Sequence, residues 1–173
     1  MKLRFIATSI ILILLLIISG GVGISSAEKE EKIAAQDFAL MTLDKKKLSL
    51  KDFRGKYVFL NFWATWCGPC IDEMPSMERL YQKFKSRKNF VMLAVSIDKG
   101  GHELVKRFVA ENKLTFTVLL DRDSEVATVY GVMGIPSTYL IDADGFIINR
   151  AVGARDWSSK DSLKFFEMLL EGK

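Results

Sequence analysis

A pair of cysteines between a buried strand and a helix is the feature that most constrains how this chain can fold. Residues 57–63 are apolar apart from Asn61, which is typical of a central strand covered on both faces of its sheet. Cys67 and Cys70 are the only cysteines in the chain, and they follow this strand closely. After them, apolar residues recur at helical spacing to about residue 86. The pattern therefore predicts that Cys67 lies where the helix begins.

The rest of the chain alternates strands with helices. Strands are predicted over residues 33–40, 90–97, 116–120, 137–141 and 146–151, and helices over about 69–86, 102–112 and 158–170. Asp123 or Ser124 is expected to cap a further short helix that ends at Gly131. This order predicts an α/β domain in which a central mixed β-sheet is flanked by helices.

The N-terminus has the composition of an export signal. Lys2 and Arg4 precede an uncharged and mostly apolar stretch over residues 5–27, which ends in small residues suited to a signal peptidase. We predict that residues 1–27 are either a cleaved signal peptide or a retained membrane anchor. The positive flank keeps Lys2 and Arg4 in the cytoplasm, so the remainder is exported.

The part of the chain after residue 27 is predicted to contain two segments. Residues 28–35 are predicted to be a charged tether, and residues 36–173 one folded domain. If the N-terminus is not cleaved, residues 5–24 would be the only part of the chain in contact with the membrane.

Charge and ligand content argue against two classes of partner. The net charge of +4 falls to +2 without Lys2 and Arg4, which is too balanced to suggest binding of nucleic acid. A structural zinc site needs four Cys or His ligands, whereas this chain has two cysteines and one histidine, His102. We therefore expect no metal and no cofactor.

The spacing of the cysteines predicts redox chemistry. A disulfide that closes only two intervening residues removes little chain entropy, so a chemical purpose is favoured over a structural one. The start of a helix favours the thiolate of Cys67, Pro69 suits the first turn, and Trp66 can shield the pair. We predict that Cys67 attacks a partner disulfide and that Cys70, one turn further and more buried, resolves the mixed disulfide.

Three segments carry a resemblance to a known family. Residues 61–70 resemble the active-site segment of thioredoxins, and residues 48–56 are similar to the lead-in of the exported redoxin branch, the TlpA-like and ResA-like reductases. Residues 134–138 resemble the cis-proline loop of these proteins. The resemblance implies a thioredoxin-like fold with a redoxin-type insertion over about residues 98–125. It also implies that Pro136 is cis and faces the cysteines.

The same resemblance suggests the residues of the site. Thioredoxins carry a buried Asp where this chain has Asn61, which we interpret as a hydrogen-bonded buried amide. Glu73 matches an acid of the exported reductases, and it is either an acid–base or pKa-tuning residue or part of a solvated helix surface. The predicted substrate groove consists of Trp66, Gly68, Pro69, Ile135 and Pro136.

The function implied is an exported thiol–disulfide oxidoreductase that acts as a disulfide reductase. Its expected partners are a disulfide-containing protein, apocytochrome c by family analogy, and a membrane thiol–disulfide electron donor. We expect a monomer in the bacterial periplasm or at the outer face of the cytoplasmic membrane. One alternative is a thiol peroxidase, although Ala64 stands where the peroxidatic loop usually has Thr. The other is a non-catalytic assembly factor with a thioredoxin-like fold.

Overall fold

The structure is a computed structural model that describes residues 32–171. The predicted signal or anchor over residues 1–27 lies outside the described residues. The strands are β1 (Ile33–Ala34), β2 (Ala39–Thr42), β3 (Lys47–Ser49), β4 (Tyr57–Trp63), β5 (Phe90–Ser96), β6 (Thr117–Leu120), β7 (Ser137–Ile141) and β8 (Phe146–Val152). The helices are α1 (Gly68–Phe84), α2 (His102–Glu111), α3 (Glu125–Val129) and α4 (Lys160–Glu171), with a 3-10 turn at Leu50–Phe53. None of the helices within residues 32–171 is long and apolar enough to cross a bilayer.

The eight strands found within residues 32–171 form one mixed sheet. Their order is β1-β8-β7-β4-β5-β6-β2-β3. Strands β4, β5 and β6 are parallel, whereas β7 runs antiparallel to β4 and β8 antiparallel to β7. The sheet, with helices against it, confirms the predicted α/β architecture. Strand β4 lies near the centre of the sheet and is paired on both edges, with β7 and β5. The cysteines therefore follow a strand whose position is fixed from both sides.

A separate apolar core packs on each face of the sheet. Phe59 and Trp63 of β4 point to the face covered by α1 and α4, where they join a cluster with Met77 and Phe166. Leu60 and its alternate neighbours point to the opposite face, which α3 covers. Because side chains alternate along a strand, one apolar run supplies both cores. The cysteine pair belongs to the first core.

The first strand was predicted wrongly. Instead of one strand over residues 33–40, the chain forms β1 at one edge of the sheet and β2 near the other. Ala35 and Phe38, between the two strands, are buried in the core on the α3 side. This crossing also shortens the predicted tether of residues 28–35, because β1 pairs with β8 and the compact unit begins at Lys32.

The cap of α3 is also different from the prediction. Asp123 or Ser124 was expected to cap it, but the Ser124 side chain makes no capping hydrogen bond. The buried carboxylate of Asp121 instead accepts the backbone N–H groups of Val126 and Ala127, at 3.3 and 2.8 Å. A residue just after β6 therefore satisfies the free N–H groups of the first helical turn.

Candidate active site

The two cysteines lie at the start of α1 and are joined by a disulfide. Their Cα atoms are 5.2 Å apart and the S–S distance is 2.08 Å. Cys67 is the N-cap residue, and its Sγ accepts the backbone N–H of Cys70 at 3.2 Å. Cys70 is completely buried, whereas Cys67 keeps a small exposed surface. A disulfide from solution can therefore reach only Cys67.

The proline loop before β7 faces this disulfide. The Ile135–Pro136 peptide bond is cis, as the resemblance implies. The carbonyl oxygen of Ile135 lies 3.7 Å from the Sγ of Cys67. The N–H of Gly153, the residue after β8, donates to the carbonyl of Pro136 at 2.9 Å, so the end of the β8 segment is bonded to the proline loop. The loop backbone and the reactive sulfur thus share one surface.

Apolar side chains surround the accessible sulfur. Trp66, on the loop before Cys67, is 68% exposed, and Gly68 and Pro69 in the first turn of α1 are exposed as well. Ile135 is half-buried on the opposite side of Cys67. These residues were all predicted to line the substrate groove, and each lies within two residues of Cys67 or Pro136.

Met133, in the segment before the proline loop, was missed by the sequence reasoning. It is 95% exposed and lies three residues before Pro136. A large apolar side chain directly before Gly134 was the available signal.

Glu73 is buried, which rules out the solvated-surface interpretation. It is 3% exposed and accepts three hydrogen bonds. Asn61 Nδ2 donates to Oε1 at 2.9 Å, whereas Oε2 accepts the Trp157 indole N–H at 3.1 Å and the Arg155 backbone N–H at 3.2 Å. Burial raises the pKa of Glu73 above its ordinary value, and the three donors oppose that rise only in part. The carboxyl group is thus a buried titratable group three residues after Cys70 on α1.

Asn61 is the hydrogen-bonded buried amide that was expected. Its Nδ2 donates to Glu73 and also to the Thr138 hydroxyl at 3.0 Å. Its Oδ1 has no hydrogen-bond partner among the described residues. Asn61 therefore links α1 to β7 and keeps one unused acceptor beside the carboxyl group of Glu73.

A second buried carboxylate holds the loop before the cysteines. Asp98, just after β5, accepts the backbone N–H of Thr65 at 3.0 Å and its hydroxyl at 2.6 Å. It also accepts the hydroxyl of Ser96 at 2.8 Å. Sequence reasoning missed Asp98, although a lone acid directly after a buried strand was a usable signal. Its contacts fix the backbone two residues before Cys67.

Solvent reaches Glu73 from one side. An open depression of about 230 Å³ lies between α1 and the loop after β8. Its lining includes Glu73, Asp72, Arg79, Arg155 and Asp156. Within residues 32–171 no group of three or more His, Cys, Asp or Glu side chains is arranged to hold a metal ion.

Comparison with known proteins agrees with this geometry. The profile of the AhpC/TSA family matches residues 32–150. The chain belongs to this family. Among its relatives is the thiol-disulfide oxidoreductase ResA of Bacillus cereus (strain ATCC 10987 / NRS 248), which is 44% identical over 149 residues, or 82% of this chain and 85% of that protein. The thioredoxin-like protein YneN of Bacillus subtilis (strain 168) is 40% identical over 124 residues, or 72% of each chain.

Comparison with solved structures supports the same family assignment. A crystal structure of a putative thiol:disulfide interchange protein DsbE from Chlorobium tepidum matches with a TM-score of 0.73 and 32% identity, over 82% of this chain and 98% of that one. The structure of StoA from Bacillus subtilis matches with a TM-score of 0.65 and 26% identity, over 77% and 97%. These matches confirm the thioredoxin-like fold and membership of the redoxin branch. The protein is a thiol–disulfide oxidoreductase.

Proposed function

We propose that this protein is an exported disulfide reductase that transfers two electrons from its cysteine pair to a disulfide in a substrate protein. The observation that carries the proposal is the arrangement of the pair. Cys67 alone is accessible and faces the carbonyl of Ile135, whereas Cys70 is buried in the same helical turn. This geometry admits a partner disulfide at one sulfur only.

The reaction has two exchange steps. The thiolate of Cys67 attacks one sulfur of the substrate disulfide, a mixed disulfide forms, and the first substrate thiolate leaves. Cys70 then loses its proton, attacks the Sγ of Cys67 and expels the second substrate thiolate. The substrate gains two electrons, and the enzyme is left with the Cys67–Cys70 disulfide seen in the structure.

Glu73 is the proposed acceptor of the Cys70 proton. It lies three residues after Cys70, hence on the same side of α1, and burial raises its pKa. Asn61 can serve both protonation states, because rotation of its amide presents Oδ1 to a protonated Glu73. This pair takes over the position that a single buried Asp occupies in thioredoxins.

The direction of electron flow and the compartment rest on the sequence. The Gly68-Pro69 dipeptide resembles thioredoxin and favours a reducing couple, and the N-terminal segment favours export. An exported reductase needs a membrane thiol–disulfide protein as its electron donor. The likeness to the ResA-like branch extends the proposal to apocytochrome c as substrate and to cytochrome c maturation.

A trapping experiment tests the proposal. In Cys70→Ser the second step cannot occur, so the mixed disulfide with the substrate accumulates and can be identified by mass spectrometry of native membranes. The control Cys67→Ser/Cys70→Ser, which lacks the attacking sulfur, should capture nothing. Absence of any disulfide-linked partner in Cys70→Ser would refute the enzymatic role in that membrane.

Equilibration with glutathione tests the direction. A reducing couple should have a potential close to that of thioredoxin, about −270 mV, whereas a strong oxidase lies near about −120 mV. A value near the latter would reverse the proposed direction of electron flow.

A further inference from the structure

The loop that follows β8 is fastened to α1 around Glu73. The backbone N–H of Trp157 donates to Ser76 Oγ at 3.1 Å. Ser76 Oγ in turn lies 2.7 Å from the backbone carbonyl of Glu73 and 3.2 Å from that of Arg155. Arg79 Nε donates to the hydroxyl of Ser158 at 3.0 Å. Strands β5 to β8 and helices α2 and α3 separate this loop from α1 along the chain, yet it supplies two of the three donors to Glu73.

Trp157 is itself rigidly held. Its ring is buried and meets Phe59 of β4 edge to face, with centroids 4.8 Å apart and planes at 82°. The packing against Phe59 holds the indole ring, and the backbone hydrogen bond to Ser76 holds the main chain that carries it. The indole N–H can therefore keep one direction, towards Oε2 of Glu73.

We propose that Trp157 is a positioning residue of the thiol chemistry, whose indole N–H holds the carboxylate of Glu73 in place and in its proton-accepting form. This inference rests on the proposed role of Glu73. It goes further because it assigns the control of that role to a residue far from the cysteines in sequence.

The donor pattern favours the ionised carboxyl group. All three observed partners of Glu73 are N–H groups, and a carboxylate can accept from all of them at once. A protonated carboxyl group finds an acceptor only if the Asn61 amide rotates, which removes the hydrogen bonds that Asn61 Nδ2 donates to Glu73 and Thr138; otherwise its hydrogen faces an N–H donor. Loss of the indole N–H therefore favours protonation, and it leaves Oε2 held only by the backbone of Arg155.

Charged groups around Glu73 are few and lie on the solvent side. The guanidinium of Arg155 favours the ionised form. Asp72 and Arg79 on α1, and Asp156 on the loop, line the same depression and are exposed. The neighbours from the two strands, Asn61 and Thr138, are neutral. The hydrogen bonds from Trp157, Arg155 and Asn61 are therefore the main interactions that offset the effect of burial on the pKa of Glu73.

A titration of the disulfide form tests the inference without thiol titration. The carboxyl carbon of Glu73 can be followed by NMR in the wild type and in Trp157→Phe, which keeps the aromatic ring but lacks the N–H. We expect the midpoint to rise by about one pH unit, since a hydrogen bond to a charged group is typically worth that much. The matched control is Trp63→Phe, because Trp63 is buried in the same core and its indole N–H has no partner among the described residues. Its midpoint should stay that of the wild type.

The same variants separate this inference from the role of Glu73. In the reduced enzyme, the pH at which disulfide reduction reaches half its maximal rate should rise by the same amount in Trp157→Phe. If the NMR midpoint moves but the rate profile does not, the acid–base role of Glu73 fails and the positioning by Trp157 stands. An unchanged NMR midpoint would overturn the positioning role. If Trp157→Phe does not fold, Trp157→3-benzothienylalanine replaces only the N–H and decides the same question.

Discussion

At the residue scale, burial and hydrogen bonding act in opposite directions on Glu73. Burial raises its pKa above the ordinary 4.5, so the folded protein holds the proton to a higher pH than the unfolded chain does. Between these two pKa values the folded state binds more protons, and the free energy of unfolding therefore falls as pH rises. The carboxyl group thus costs stability at neutral pH, where the proposed reaction needs it ionised.

We predict that Glu73→Gln weakens this pH dependence. In the disulfide form, the free energy of unfolding of the variant relative to the wild type should increase as pH rises from about 4.5 through the folded pKa of Glu73. Urea unfolding at a series of pH values measures it. Asp156→Asn is a matched control: hydrogen bonds from Ser158 lower the pKa of Asp156 below its ordinary 3.8, so its contribution changes only below that pH and should stay constant over the range in which Glu73 titrates. A pH-independent difference for Glu73→Gln would contradict the assignment.

At the scale of elements, two acidic residues that follow neighbouring parallel strands each hold another segment of backbone by hydrogen bonds. Asp98 follows β5 and holds Thr65, whereas Asp121 follows β6 and caps α3. Both are buried carboxylates that accept backbone N–H groups. Only the first of them touches the loop that carries Cys67.

We predict that Asp98→Ala impairs both stability and activity. It leaves the N–H and hydroxyl of Thr65 and the hydroxyl of Ser96 without their acceptor, which should lower the free energy of unfolding by about 2–4 kcal/mol. The loosened loop should slow reduction of a disulfide substrate about tenfold or more. Asp121→Ala should lose about 1–2 kcal/mol by uncapping α3 and keep its rate. Equal rates for the two variants, measured where both are folded, would remove the positioning role of Asp98.

Local patterns predicted some elements well, and long-range pairing explains where they did not. Strands β4 and β7 were predicted with the observed bounds, because β4 is apolar apart from Asn61 and β7 runs from the proline loop to the turn that begins at Asp142. The split of residues 33–40 depends on pairing with strands far along the chain, which no local pattern reveals. Likewise Cys67, Cys70 and Glu73 lie within seven residues, whereas Trp157 meets Glu73 across 84 positions. Its importance follows from the fold and not from any motif.

At the scale of the whole molecule, the sheet separates two cores, and only one of them supports the site. Phe59 faces the α1 and α4 side, where its ring packs against Trp157. Phe59 therefore contacts the residue whose indole donates to Glu73. Phe62 on the same strand faces the other core, where its ring centroid is 5.5 Å from that of Tyr130. Both rings are completely buried. Their substitution should therefore separate the stability of the fold from the tuning of the site.

We predict that Phe59→Leu and Phe62→Leu lower the free energy of unfolding by a similar amount, about 1–2 kcal/mol, measured by urea unfolding. Only Phe59→Leu should also move the pH profile of disulfide reduction upwards, because it removes the ring against which the indole of Trp157 is fixed. A looser indole donates less consistently to Glu73 and holds its ionised form less well. If both variants shift the profile equally, the tuning comes from global stability. If neither shifts it, the indole keeps its position without Phe59, and the proposed effect of the Phe59–Trp157 contact on the site is wrong.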